Sequence, residues 1–166
     1  MKNLINLIII LSLSAQACHA QKKVKTVEEY KVLFDSIASL VKLAREDSSS
    51  YVNMEFSEFA KQLEKRGLKI MQVSIGDYDY QKVNPQYVYA LILWLTTLEM
   101  SNFAEANDLR QPYIVVHFAE SKSYEKTLSL MREYKGLYSE EIAAFYADAV
   151  IKSLDFSIPV KIYFRR

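Results

Sequence analysis

The chain has 166 residues, of which 51% are hydrophobic and 25% are charged. This composition is typical of a globular protein, and the length suits one domain. The 21 basic residues nearly balance the 20 acidic residues, which argues against a nucleic-acid-binding protein because such proteins carry a basic excess. Only three Gly residues are present, and no glycine-rich phosphate loop can be found, so we predict no cofactor.

The first 20 residues have the pattern of a bacterial secretory signal. Lys2 precedes an apolar segment at residues 4–13, and small residues follow it. This segment is shorter than the roughly 20 apolar residues that span a bilayer, which disfavours the alternative of an uncleaved anchor helix. We therefore expect the protein to be exported.

A four-residue stretch near the end of this signal resembles the lipobox of bacterial exported lipoproteins. It reads Ala15-Gln16-Ala17-Cys18. The resemblance covers residues 4–18 only, and it implies a diacylglycerol on Cys18 and cleavage just before it. Cys18 is the only Cys of the chain, so it cannot form an internal disulfide. The alternative is ordinary cleavage after Ala20 or after Ala17.

These features divide the chain into three parts. We predict a signal peptide at residues 1–17, or a cut after Ala20, then a short polar tether at residues 18–25 and one globular domain at residues 26–166. Acylated Cys18 would bind the protein to the lipid membrane of the cell envelope. With ordinary cleavage the protein would be soluble in the periplasm or secreted.

The domain is organised around residues 86–95, its longest apolar run. The run is rich in aromatic and branched residues, and both sets of alternating positions are apolar, which favours a strand covered on both faces. The spacing Thr96-x-x-Glu99 after it predicts a capping box at a helix start. The alternative is one buried helix over residues 86–106, because periodicity does not separate the two for apolar runs.

The other elements follow from caps and periodicity. The spacing Thr26-x-x-Glu29 predicts a helix running to about residue 45, and Gly67 ends a second helix at residues 55–66. Further helices are expected at residues 98–108 and after Ser121 and Ser139. Alternation predicts strands at residues 69–75, 113–118 and 152–158. Pro159 marks a sheet edge or a bulge, and a short strand is expected at residues 160–164.

This order predicts an α/β fold on the border of α+β. We expect a single domain with a mixed sheet of four or five strands and helices packed on it. The succession of strand 86–95, a helix and strand 113–118 favours a right-handed crossover with parallel pairing.

His117 is the first candidate for chemistry, since it is the only His outside the signal segment. We expect it near the end of strand 113–118, with Glu120 three residues on, where open α/β sheets place their sites. A His oriented by a carboxylate can act as a general base. The alternative is a half-buried strand His that is paired locally.

The polar loop at residues 76–85 supplies the second set of candidates. Asp77 and Asp79 lie two apart, so on an extended segment both carboxylates point the same way. A calcium ion needs six or more oxygen ligands, so a solvated turn is favoured and we predict no metal. Tyr78 and Tyr80 offer a rigid face and a polar tip, which suit contacts with sugars or protein partners.

The most consistent function is a non-catalytic binding or assembly module with a protein partner, lipid-anchored in the bacterial cell envelope. The sequence has no Gly-x-Ser-x-Gly elbow and no Cys or His spacing for a metal. One alternative is an exported hydrolase that uses His117 and Glu120 with the loop of Asp77 and Asp79. Another is an immunity-type protein that binds an envelope toxin.

Overall fold

The computed structural model describes residues 24–76 and 86–159. These residues form a single α/β domain with a four-stranded sheet, as predicted. The helices are α1 Val27–Glu46, α2 Phe56–Lys65, α3 Leu98–Ala106, α4 Tyr124–Glu133 and α5 Glu140–Tyr146, and the strands are β1 Gln72–Ile75, β2 Tyr87–Trp94, β3 Tyr113–Ser123 and β4 Ile151–Ser157. The order of elements is the predicted one, and the run at residues 86–95 is a strand rather than a helix.

The sheet is antiparallel throughout, with the strand order β1-β2-β3-β4. The predicted parallel pairing of β2 with β3, and with it the mixed sheet, is therefore wrong. β3 begins beside the residue where β2 ends, since Trp94 pairs with Tyr113. The nine residues of α3 do not return along the sheet, because the apolar side chains of α3 pack on α1 at this end of the domain.

One face of the sheet forms the main core. Val73 of β1, Leu91 and Leu93 of β2 and Ile114 of β3 are at most 3% exposed on this inner face. The helices α2, α4 and α5 and the second half of α1 cover it. The alternation in β2 shifts at a bulge between Val88 and Ala90, so Val88 also faces this core.

A second, smaller cluster lies where α1 begins. Tyr30 and Phe34 of α1 pack against Met100 and Ala104 of α3, and Val24 and Leu109 complete the cluster. The Tyr30 hydroxyl donates to the Arg110 carbonyl at 2.5 Å. This cluster fixes the start of α1 to the segment that leads into β3.

Local signals set most helix ends. Thr26 accepts a hydrogen bond from the Glu29 amide, and Ser139 accepts one from the Ile142 amide, as expected for N-caps. Gly67, with φ at +82°, closes α2 through the Leu68 amide, which donates to the Leu63 carbonyl. The predicted cap of α3 is off by one residue, because Thr97 rather than Thr96 accepts from the Met100 amide.

Candidate binding face of the sheet

The outer face of the sheet is the surface that faces away from the main core. The strand registers place eleven side chains on it: Gln72, Ser74, Ala90, Ile92, Trp94, Tyr113, Val115, His117, Ser153, Asp155 and Ser157. Neither hydrophobic cluster of the described residues includes any of them. The expectation that β2 is covered on both faces is therefore met only in part on this side, where Ala90 is fully buried but Ile92 and Trp94 are partly exposed.

Polarity on the outer face follows the strand order. The two central strands contribute Ile92, Trp94, Tyr113 and Val115, which form an apolar centre. Gln72 and Ser74 border this centre on β1, and Ser153, Asp155 and Ser157 border it on β4. An apolar centre within a polar rim is the usual anatomy of a surface that binds another molecule.

Trp94 and Tyr113 pair across β2 and β3, with ring centroids 5.0 Å apart and planes tilted by 53°. The Trp94 indole nitrogen donates to the Ser74 hydroxyl at 3.0 Å, which restricts the orientation of the ring. The two rings border a cavity of about 240 Å³, hereafter the Trp94 cavity, whose other lining residues are Leu109, Arg110, Gln111, Ser157 and Pro159. Rigid aromatic rings beside an open cavity suit contact with a partner.

His117 lies in the interior of β3, which continues to Ser123, so its predicted position near a strand end is wrong. Its Nε2 atom is 2.9 Å from Asp155 Oδ2 across β3 and β4. The carboxylate beside it is therefore that of Asp155, and Glu120 is an exposed residue farther along β3. The expected alternative of a partly buried His that is paired locally describes His117, whose side chain is 26% exposed.

Ser153 is the cross-strand partner of His117 and lies beside Asp155 on the same face. A hydroxyl, an imidazole and a carboxylate thus share one corner of the outer face. Sequence reasoning placed Ser153 and Asp155 on the wet side of their strand, but it did not connect them to His117. Only the register of β3 with β4 brings these three side chains together.

Thr96 belongs to a polar network at the end of β2 and is fully buried. Its hydroxyl donates to Gln111 Oε1 at 2.6 Å, and the Ser101 hydroxyl donates to the same oxygen at 2.8 Å. The Gln72 amide nitrogen donates to the Thr96 carbonyl and to the Ser101 hydroxyl. Because these buried and partly buried polar groups satisfy one another, the network stabilises the junction of β1, β2 and α3.

A separate cavity of about 390 Å³ lies between α2 and α5. Much of its wall is alanine, contributed by Ala60, Ala143, Ala144 and Ala147. Tyr138 also lines it, and burial raises the pKa of this phenol, with a further contribution from the nearby Glu64 carboxylate. Of the predicted site residues that the structure describes, neither His117 nor Glu120 lines this cavity.

Several predicted site residues lie outside the described residues, namely Cys18, Asp77, Tyr78, Asp79 and Tyr80. The short strand predicted at residues 160–164 lies there as well. Within residues 24–76 and 86–159, no group of three or more His, Cys, Asp or Glu side chains is arranged to hold a metal ion. None of the helices in this part of the chain is both long and apolar enough to cross a membrane.

No protein-family model, curated protein or solved structure matches the chain at a significant level.

Proposed function

We propose that this protein is a non-catalytic binding or assembly module of the bacterial cell envelope, exported and lipid-anchored through Cys18. The single observation that carries the binding role is the outer face of the sheet, with its apolar centre and polar rim. The signal pattern at residues 1–20 and the position of the lone Cys18 support the location.

The partner that suits this face best is another protein. Trp and Tyr are enriched among the residues that dominate binding energy at protein interfaces, and Trp94 and Tyr113 lie side by side at one end of the outer-face stretch shared by β2 and β3. The Ser and Asp side chains of β4 offer hydrogen bonds at the rim, where such contacts direct specificity.

Site-specific photo-crosslinking in living cells tests the partner. A photoreactive amino acid at Val115 on the outer face should give a discrete higher-mass adduct. The same probe at Val32, an exposed residue of α1, is the matched control and should give none. Identical patterns at both positions, or no adduct at Val115, would contradict a partner on this face.

Metabolic labelling with a fatty-acid probe tests the anchor. The wild-type chain should incorporate the label and remain with the membrane fraction, and Cys18→Ser should lose both properties. Efficient export without labelling would show that the signal is removed by ordinary cleavage instead. The binding role would then stand without the lipid anchor.

Hydrolysis is the second candidate function, and the contact between His117 and Asp155 favours it. In such a reaction His117 would act as the base and Ser153 would be the nearest candidate nucleophile, since it pairs with His117 across the sheet. Ester or peptide hydrolysis that disappears in both His117→Gln and Ser153→Ala, with folding intact, would support it. Activity that survives either substitution would exclude this use of the pair.

An immunity-type role is a special case of the binding function. It would be supported if the protein that crosslinks to Val115 is toxic to cells that lack this chain. A non-toxic structural component of the envelope as the crosslinked partner would support assembly instead.

A further inference from the structure

The cavity between α2 and α5 exists because both helices line it largely with small side chains. On α2 the lining residues are Ser57, Ala60, Lys61 and Glu64, and on α5 they are Ala143, Ala144 and Ala147. Spacings of three and four residues place each set on one side of its helix. Larger apolar side chains at the alanine positions would fill this space of about 390 Å³, hereafter the alanine cavity.

The most deeply buried residues that line the alanine cavity are apolar. Leu68 and Ile70 are 2% and 5% exposed, and both belong to the main core. The ring of Tyr138, which also lines the cavity, packs on Phe56 with the ring centroids 6.4 Å apart. A hydrocarbon chain that covers these residues leaves water, and each buried methylene group strengthens binding by up to about fourfold.

Charged side chains lie at the rim of the alanine cavity. Lys61, Glu64 and Lys69 line it and are exposed, and none of them forms an ion pair with another residue that the structure describes. Two ammonium groups against one carboxylate give the rim a positive excess. Burial and the Glu64 carboxylate raise the pKa of the Tyr138 phenol, so this phenol is protonated at neutral pH and can donate a hydrogen bond.

We propose that the alanine cavity binds a free fatty acid, which combines a linear hydrocarbon chain with a carboxylate. The chain lies against the alanines and the buried apolar residues, and Lys61 and Lys69 hold the carboxylate at the rim. The volume falls within the range of about 300–1,000 Å³ that is usual for small-molecule sites. Because α2 and α5 cover the inner face of the sheet, this site is separate from the outer face and does not rest on the proposed function.

An NMR titration of the isotope-labelled chain with Cys18→Ser tests the site in a protein without a lipid of its own. The probes are hexanoate, octanoate and decanoate below their micellar concentrations, with octanol and octylammonium as the neutral and cationic counterparts of octanoate. The backbone amide signals of Ala60 and Ala144 should shift when the acids are added. The indole signal of Trp94, on the outer face, should not shift.

The affinity should rise with chain length by up to about fourfold for each added methylene group. Replacing both rim lysines, by Lys61→Gln and Lys69→Gln together, should weaken octanoate binding by about two- to tenfold, as expected for two exposed ion pairs, and should leave octanol binding unchanged. The matched control, Lys42→Gln with Lys126→Gln at exposed positions elsewhere, should bind octanoate as the parent chain does.

Glu64→Gln gives the opposite sign. It should strengthen octanoate binding by about two- to fivefold, because it removes an exposed carboxylate that repels the ligand. Weaker octanoate binding in this variant, or tighter binding of octylammonium than of octanoate by the parent chain, would overturn the assignment of an anionic ligand.

A variant that fills the cavity tests the location. Ala143→Leu should weaken octanoate binding by about tenfold, equivalent to the loss of about two buried methylene groups, and circular dichroism checks that it folds. Ala106→Leu, at an exposed alanine of α3, is the matched control and should bind normally. The proposal is overturned if the acids shift no signal of α2 or α5, if octanol binds as tightly as octanoate, or if both lysine variants lose binding equally.

Discussion

The hydroxyl groups of Thr127 and Tyr146 form a buried pair between α4 and α5, with their oxygens 2.6 Å apart. The Thr127 hydroxyl donates to the Ser123 carbonyl at 2.8 Å. Because Thr has only one hydroxyl hydrogen, Tyr146 must donate to Thr127. Both residues are at most 1% exposed, so neither hydroxyl has water as a substitute partner.

This direction of donation predicts that removing the Thr127 hydroxyl and removing the Tyr146 hydroxyl affect stability unequally. Thr127→Val should lower the free energy of unfolding by about 2 kcal/mol, because the Tyr146 hydroxyl stays buried without an acceptor. Tyr146→Phe should cost only about 1 kcal/mol, because Thr127 keeps its bond to Ser123. The double variant should also cost about 1 kcal/mol, because it leaves no buried donor unsatisfied.

Urea unfolding of the four proteins at neutral pH, followed by circular dichroism, measures these differences. The expected coupling between the two sites is about 2 kcal/mol, as found for residues in direct contact. Additive losses in the double variant would refute the assigned donor and acceptor. A larger loss for Tyr146→Phe than for Thr127→Val would refute it as well.

The same pair predicts the behaviour of the protein in alkali. Burial raises the pKa of Tyr146 from 10.0 to about 12, so the folded state favours the neutral phenol. The contribution of the Tyr146 phenol to the free energy of unfolding is fully present below pH 10 and is lost as the pH rises towards 12. The loss is about 2–3 kcal/mol, because each unit of pKa shift corresponds to 1.36 kcal/mol. Tyr146→Phe should lose correspondingly less stability over this interval, and an unchanged loss would contradict the assignment.

The aromatic core, one ion pair and a second buried phenol give three further tests. Phe56→Ala should lower the free energy of unfolding by about 3–5 kcal/mol, because this fully buried ring packs among four other aromatic rings. The control Val32→Ala, at a 69% exposed site, should change the free energy of unfolding by less than about 0.5 kcal/mol. Lys122→Gln should raise the pKa of the Asp148 carboxyl, which Lys122 holds below its usual range, and an unshifted titration by NMR would contradict this. Burial raises the pKa of Tyr30 to about 12, so Tyr30→Phe should reduce the stability lost as the pH rises from 10 towards 12, in alkaline unfolding experiments.

Features that depend on neighbours in sequence were predicted well. The caps at Thr26 and Ser139 and the left-handed Gly67 involve contacts within about one turn, so the local residues contain the information. Pro159 was interpreted as marking an edge or a bulge, and β4 is an edge strand among the described residues. In these cases tertiary packing and local preference agree.

Thr96 illustrates where local reasoning stopped. Two adjacent threonines were available to cap α3, and the capping-box spacing favoured Thr96 over Thr97. Gln72 and Gln111 draw Thr96 into a buried network from other parts of the chain, which leaves Thr97 to cap the helix. A contact with residues 24 and 15 positions away could not be read from the capping pattern.

The candidate site depended almost wholly on strand register. The sequence singled out His117 but predicted Glu120 as its partner. The register of β3 with β4 places the carboxylate of Asp155 beside His117 instead. Trp94 and Tyr113 were assigned to strands without any indication that they form one surface. Their cross-strand contact requires the antiparallel turn of the chain around α3.

The amino-acid sequence by itself determined the class of fold and the order of the elements, because these follow from short-range periodicity and capping. The aromatic and branched residues of the run at 86–95 favoured a strand, although periodicity left a buried helix open. Tertiary structure alone decided the direction of pairing and how far each face of the sheet is covered. The physical reason is that an apolar strand can pair with a parallel or an antiparallel neighbour, and it can be covered on one face or on both. The direction of pairing depends on the apolar surface against which α3 packs, and α1, from a distant part of the chain, supplies that surface.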